Sequence, residues 1–309
     1  MSETAVSDSK SRAPGTGQPA ASAAEMGVQR PLVMAVVNVT PDSFSDGGRW
    51  FDSAAAVEHG LQLIEQGADI LDVGGESTRP GAQRPTAEEE ARRVVPVVRD
   101  LVAAGARVSV DTMRASVAEA AVSAGASIIN DVSGALADPA MRDVAAATGA
   151  TFVAMHWRGH SVDMQQRTTY DDIVADVCRE LAESVAALRE AGVRDDKLVV
   201  DPGFGFAKTA EQNWKLLARM GEFDVDGLPV LWGTSRKTFL GAAGRTPQMI
   251  ADGATVPPAG RDAATAATSV IAAQHDAWGV RVHDVPSTSA ALDVVAAARR
   301  AVPRGEVVE

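Results

Sequence analysis

One unit recurs along this chain and limits its possible folds more than any other feature. A helical segment ends at a glycine, an alanine or valine often follows, and a short apolar run then stops at a polar residue. The junctions read QGADILDVGG, AAGARVSVDT, SAGASIIND, ATGATFVAMH and AWGVRVHD. Glycine just past a helix supplies the left-handed cap that other residues resist. A β-rich apolar run of about four to six residues fits a strand covered on both faces. Eight such runs occur: PLVMAVVN, ADILDVGG, ARVSVD, SIIND, TFVAMH, KLVVD, PVLWGTS and VRVHD.

Helical patterns lie between the runs, several with start signals. Asp52 precedes SAAAVEHGLQLIEQG, and Thr86 with Glu89 and Thr209 with Gln212 read as capping boxes. Asp138 followed by Pro139 reads as an N-cap with proline in the first turn, and Ser287 can open the last helix. Alternating strands and helices over residues 31–303 predict an α/β fold, the (β/α)8 TIM barrel. An open doubly wound sheet is the alternative. It usually shows a glycine-rich dinucleotide turn after its first strand, and NVTPDSF is not one.

Composition narrows the function classes. The chain has 309 residues, 46% hydrophobic and 23% charged, with a net charge of −12. That balance argues against general affinity for nucleic acid or anionic membrane, both of which need a basic face. The single cysteine, Cys178, permits no internal disulfide. It shares a helical face with Val174, Val177, Leu181, Val185 and Leu188 and is expected to be a small core residue. No apolar run is long enough to span a membrane. Residues 1–30, rich in Ser, Ala, Gly, Thr and Pro without a secretory pattern, read as a disordered tail, and the expected location is the cytoplasm.

In a barrel of this kind the active site forms where the strands end. The ends here are Asn38, GGESTRPG at 74–81, Asp111, Asn130, His156, Asp201, SRK at 235–237, and Arg281 with His283. Any one of these polar residues reads as a turn or cap, but eight in register point to a site. DPGFGFAKT at 201–209 lacks the phosphate-loop spacing. Asp201 would face the barrel mouth, and Phe204 or Phe206 would wall it. A carboxylate between aromatic walls suits a flat heterocycle that presents an NH beside an amino group.

The motifs NVTPDSFSDGG (38–48), GGESTRPGA (74–82), VDT (110–112), IINDVSG (128–134), MHWRG (155–159), DPGFGFAK (201–208), SRK (235–237) and RVHDV (281–285) resemble those of the dihydropteroate synthases, in order on all eight strands. That family condenses 7,8-dihydropterin-6-ylmethyl diphosphate with 4-aminobenzoate, releasing pyrophosphate, and is the sulfonamide target of folate synthesis. The resemblance implies that Asp201 holds the pterin's 2-amino and N3 hydrogens, and that Asn130 and Asp111 reach its other edges. It implies that Lys237 meets the pterin carbonyl, with Met155 and Phe206 packing on the rings. Arg281, His283, Asn38 and Arg79 are implied for the diphosphate, with Asn38 also reaching Mg2+. Phe44, Thr78, Arg79, Pro80, Phe206, Ser235 and Thr238 are implied around the aminobenzoate, its carboxylate at the helix start after Lys237. Asp46 is implied near the reacting carbon or metal; with Lys237 and Asp111 it completes the catalytic set. A homodimer through outer helices and competitive inhibition by sulfonamides are implied as well.

These roles are chemically coherent. Diphosphate leaves with several negative charges, so cationic donors and a hard metal lower the barrier. Trp232 is expected to be a packing aromatic, His156 to be structural or pocket-lining, and residues 244–262 to form a surface excursion. Two other readings share the architecture: a pterin-dependent corrinoid methyltransferase and a pterin-binding paralogue without turnover. Neither needs the full set of Asp46, Arg79, Lys237, Arg281 and His283.

Overall fold

The structure is a computed structural model and describes residues 30–39, 53–76, 84–159 and 167–301. Its strands are β1 (Leu32–Asn38), β2 (Ile70–Gly74), β3 (Val108–Asp111), β4 (Ile128–Asp131), β5 (Thr151–Met155), β6 (Leu198–Asp201), β7 (Leu231–Trp232) and β8 (Gly279–Val282). Between them run α1 (Ser53–Glu65), α2 (Ala87–Ala103), α3 (Ala115–Ser123), α4 (Met141–Thr148), α5 (Ile173–Glu190), α6 (Ala210–Ala218), α7 (Pro247–Ala251) and α8 (Asp262–Gln274). Helix α9 (Val285–Ala301) follows the last strand. All pairings are parallel, in the order β6-β5-β4-β3-β2-β1-β8-β7. A bridge from Val200 to Val230 closes the ring, with the Val200 N–H donating to Pro229 O at 2.9 Å. This is the expected (β/α)8 barrel. The seventh run pairs over only two residues, because TSRK turns away to build the mouth.

Strand alternation divides the core in two. Val33, Ala35, Val37, Leu71, Val73, Val110, Phe152, Ala154 and Val200 belong to the large cluster shared with the helices. Leu32, Met34, Ile70, Ile128, Val153, Val199, Leu231 and Trp278 form a separate inner plug. Each buried methylene there contributes about 0.8 kcal/mol. Two residues further along the same inner faces, the chain presents Asp72, Asn130, Met155, Asp201 and Gly233. The interior thus turns from apolar to polar at one level, and the plug excludes water from below.

Local signals explain the helix starts. Thr209 and Gln212 form the predicted capping box on α6. Thr86 caps α2 by accepting from Glu89 N, but the Glu89 carboxylate turns to Arg92 and Arg93. Asp138 does not cap α4, which begins at Met141; its carboxylate accepts from Ala140 N and, across the loop, from Ala115 N at the start of α3. Ser287 lies inside α9, which opens at Val285. Gly149 closes α4 in the left-handed conformation that the repeat predicted. Cys178 is half-buried against the main cluster.

Candidate active site

Sheet register lines up the strand ends. Asn38 pairs with Gly74, Gly74 with Asp111, and Asp111 with Asn130; Met155 pairs with Asp201. At the floor of the mouth Arg281 joins two acids. Its Nε donates to Asp72 Oδ2 and its Nη2 to Asp111 Oδ2, both at 2.6 Å. Asn130 Nδ2 donates to the same Asp72 oxygen at 2.9 Å. Burial opposes the guanidinium charge, but the two carboxylates outweigh it and hold the Arg281 pKa above its ordinary value. Burial raises the Asp111 carboxyl, and Arg281 opposes that rise. One cation between two acids leaves the floor able to hold a further proton or donor.

Asp201 is buried at the end of β6, and its Oδ1 accepts from Gly203 N at 2.7 Å. Gly203 and Gly205 carry φ of 68° and 76°, which lets the chain double back beside the carboxylate. Burial pushes Asp201 up to about 6, against the pull of the Gly203 N–H, Lys237 and Arg281. It is therefore mostly ionised at neutral pH. Gly233 faces it: a Cβ there would lie 3.3 Å from Asp201 Oδ2. Phe206 is half-buried, and Lys237 Nζ lies 3.9 Å from its ring centre, a cation–π contact. Burial lowers Lys237 to about 8, with Arg281 adding and Asp201 opposing. Of the two candidate wall residues, Phe206 reaches the mouth. Phe204 packs in the core against Trp232 and Phe239, which gives Trp232 its packing role.

A strained residue aims Lys237. Arg236 has φ of 57°, held by a fork to Asp262 at 2.7 and 2.8 Å and by its N–H to Thr265 Oγ1. Buried Arg261 donates to the Arg236 carbonyl at 2.9 Å, so the 244–262 excursion ends in an anchor for the SRK turn. Ser235 Oγ contacts His283 Nδ1 at 2.9 Å and accepts from His283 N. Burial pushes His283 down to about 3, with Arg281, Arg236 and Lys237 adding to it. It is neutral at pH 7.

The structure thus gathers Asp111, Asn130, Met155, Asp201, Phe206, Ser235, Lys237, Arg281 and His283 at one end of the barrel. Asn38 is exposed at the end of β1. Thr238 is exposed and opens a five-residue 3-10 helix (Thr238–Ala242) rather than an α-helix, because Ala243 soon returns to extended backbone. Phe44, Asp46, Thr78, Arg79 and Pro80 lie outside the described residues, as does the tail up to residue 29; Arg30, its last expected residue, pairs with Asp69 at 2.7 Å. Two residues were not anticipated. Asp72 reads as one acid within an apolar run, yet it lies two positions before Gly74 and so on the same inner face. Lys208 closes DPGFGFAK and is buried beside His156. His156 itself is structural: it bridges Lys208 and Glu180. Among the described residues no group of three His, Cys, Asp or Glu could hold a metal by itself.

The chain has relatives among known proteins. The model of the pterin binding enzymes matches residues 34–283. A dihydropteroate synthase of Mycobacterium leprae is 51% identical over 279 residues, which is 89% of this chain and 96% of the relative. A Xanthomonas albilineans dihydropteroate synthase solved with 4-aminobenzoic acid is 46% identical, covers 89% of this chain and 94% of its own, and superposes with a TM-score of 0.79. A Yersinia pestis dihydropteroate synthase solved as a sulfonamide drug complex is 41% identical, with coverage of 88% and 95% and a TM-score of 0.79. The chain belongs to the pterin binding enzymes and, within them, to the dihydropteroate synthases.

Proposed function

We propose that this chain joins (7,8-dihydropterin-6-yl)methyl diphosphate to 4-aminobenzoate, giving 7,8-dihydropteroate and pyrophosphate. The observation that carries this reading is the gathering of a buried carboxylate, Asp201, with Lys237 and Arg281 at one barrel mouth. Asp201 takes two hydrogens from the pterin edge, Asn130 and Asp111 meet the other edges, and Met155 and Phe206 enclose the ring. The C–O bond to the diphosphate breaks and its electron pair leaves with pyrophosphate. The arylamine nitrogen then bonds to the methylene carbon and sheds a proton. Arg281 and neutral His283, with Asn38 and Arg79, stabilise the departing charge, and Lys237 meets the pterin carbonyl. His283 Nδ1 is held at Ser235, which leaves Nε2 for the phosphate oxygens. Residues outside the described set, Phe44, Asp46, Thr78, Arg79 and Pro80, complete the aminobenzoate side, with Ser235 and Thr238.

The donor chemistry suits Mg2+ that is held mainly by substrate. Asn38 offers one neutral oxygen, and Mg2+ commonly takes only one or two ligands from protein, the rest from phosphate and water. Bound there, the ion would neutralise charge on the leaving group. We place the reaction in the cytoplasm, in a homodimer, with sulfonamides competing against 4-aminobenzoate. A methyltransferase has no use for the Arg281–His283 end. The reading is tested by following dihydropteroate formation in wild type and in His283→Ala. It predicts product from wild type and a rise in KM for the diphosphate substrate in the variant; absence of product from wild type refutes it.

A further inference from the structure

Lys208 is among the most buried charged groups in the barrel, and among the described residues no carboxylate lies within hydrogen-bond reach of it. Its three neighbours are neutral acceptors: His156 Nδ1 at 2.9 Å, Gly203 O at 3.1 Å and Phe206 O at 3.2 Å. Burial lowers Lys208 to about 7, and a cage with one acceptor for each of the three ammonium hydrogens opposes that fall. Burying a charge among neutral groups is costly, and a purely structural tie across this turn would not need one.

The cage encloses the turn that carries the pterin site. Gly203 donates its N–H to Asp201 at 2.7 Å and offers its carbonyl to Lys208, so one residue couples the two side chains. Phe206 is gripped through its own carbonyl. Lys208 also lowers the pKa of Asp201, which favours the acceptor-only form. Behind the lysine the contacts close into a ring. As an ammonium Lys208 only donates, so His156 Nδ1 then accepts and Nε2–H donates to Glu180 at 3.0 Å. Glu180 takes the Arg158 fork at 2.5 and 2.8 Å, and Arg158 stacks 3.8 Å from the Tyr170 ring centre. The Tyr170 hydroxyl returns to Ala207 O at 2.9 Å, beside the lysine. The charges facing Lys208 are thus Asp201 from β6, Glu180 from α5, Arg158 after β5 and Lys237 after β7.

We propose that Lys208 is a positioning residue for the reaction: through the Gly203 and Phe206 carbonyls it fixes the pterin-reading carboxylate and the ring wall. This rests on the reading of the mouth as a pterin site.

The test is a double-mutant cycle read by calorimetric titration of a dihydropterin lacking the diphosphate. Wild type, Lys208→Met, Asp201→Asn and the double variant are compared, with a thermal melt of each. Loss of the charged donor should weaken binding about tenfold in the wild-type background. In the Asp201→Asn background the same change should cost less than about threefold, because the carboxylate it serves is gone. Lys208→Gln, which keeps two donors, carries the same cycle if the methionine variant does not fold. Equal losses in both backgrounds, or normal binding by the Lys208 variants, overturn the assignment alone. A wild type that binds no dihydropterin overturns the functional reading and this assignment with it.

Discussion

Arg281 Nε and Asp72 Oδ2 lie 2.6 Å apart, across 209 residues of sequence, and Asp72 is wholly buried. The cation proposed for the diphosphate is thus also the counter-ion of an acid beneath the site. Removing one partner of such a pair costs about 3–5 kcal/mol, because the remaining charge is stranded. Arg281→Ala should therefore lower stability as well as affinity for the diphosphate substrate. Adding Asp72→Asn should recover about half of the lost stability or more, without recovering affinity. Urea midpoints at constant slope measure the first effect, and titration the second. A double variant as unstable as the single one would place the cost elsewhere.

Asp201 serves both the turn and the ligand, which a sequence reading treats as alternatives. Asparagine retains one oxygen for Gly203 N but turns a donor toward the pterin's own hydrogens. Asp201→Asn should keep its melting temperature within a few degrees and bind a dihydropterin about a hundredfold more weakly. Asp201→Ala should lose both properties. Near-normal binding by the asparagine variant with a lowered melt would reduce Asp201 to a turn cap.

Gly203→Ala should be among the most damaging small substitutions. Its Cβ would stand 2.5 Å from the His156 carbonyl, a backbone atom that cannot swing away, at a φ of 68°. The expected cost is about 1–3 kcal/mol, with pterin binding reduced as the turn shifts. Gly227→Ala has an open site and a similar φ of 69°, so it controls for backbone strain alone. Equal effects at the two glycines would mean that the packing around Gly203 is slack.

His283 gives a pH test. Burial holds it at about 3 in the folded chain, against about 6.5 when unfolded. Between those values the unfolded chain binds a proton that the folded chain refuses, so stability falls as pH falls through the window. His283→Asn removes this contribution. Between pH 7 and pH 5 wild type should lose up to about 2 kcal/mol more than the variant. Parallel pH profiles would show that the imidazole is accessible to protons.

The barrel was legible because its signals are local. Each strand is a short apolar run after a glycine, and each strand end is polar. What escaped notice depends on contacts that no local pattern records. Asp72 hides in ADILDVGG, and only its alternation with Gly74 marks it as inward. Lys208 looked like the tail of a motif until His156, 52 residues earlier, appeared against it. Phe204 and Phe206 are equivalent on paper, and only the turn decides which faces the core. Asp138 serves the start of α3 as well as the turn before α4.

The most direct measurement is pyrophosphate release by the wild-type chain, with Mg2+ present, as each substrate is varied in turn. Release that requires both dihydropterin diphosphate and 4-aminobenzoate, with dihydropteroate formed in equal amount, is the predicted result. Release that is indifferent to 4-aminobenzoate, or none with both substrates present, would contradict it.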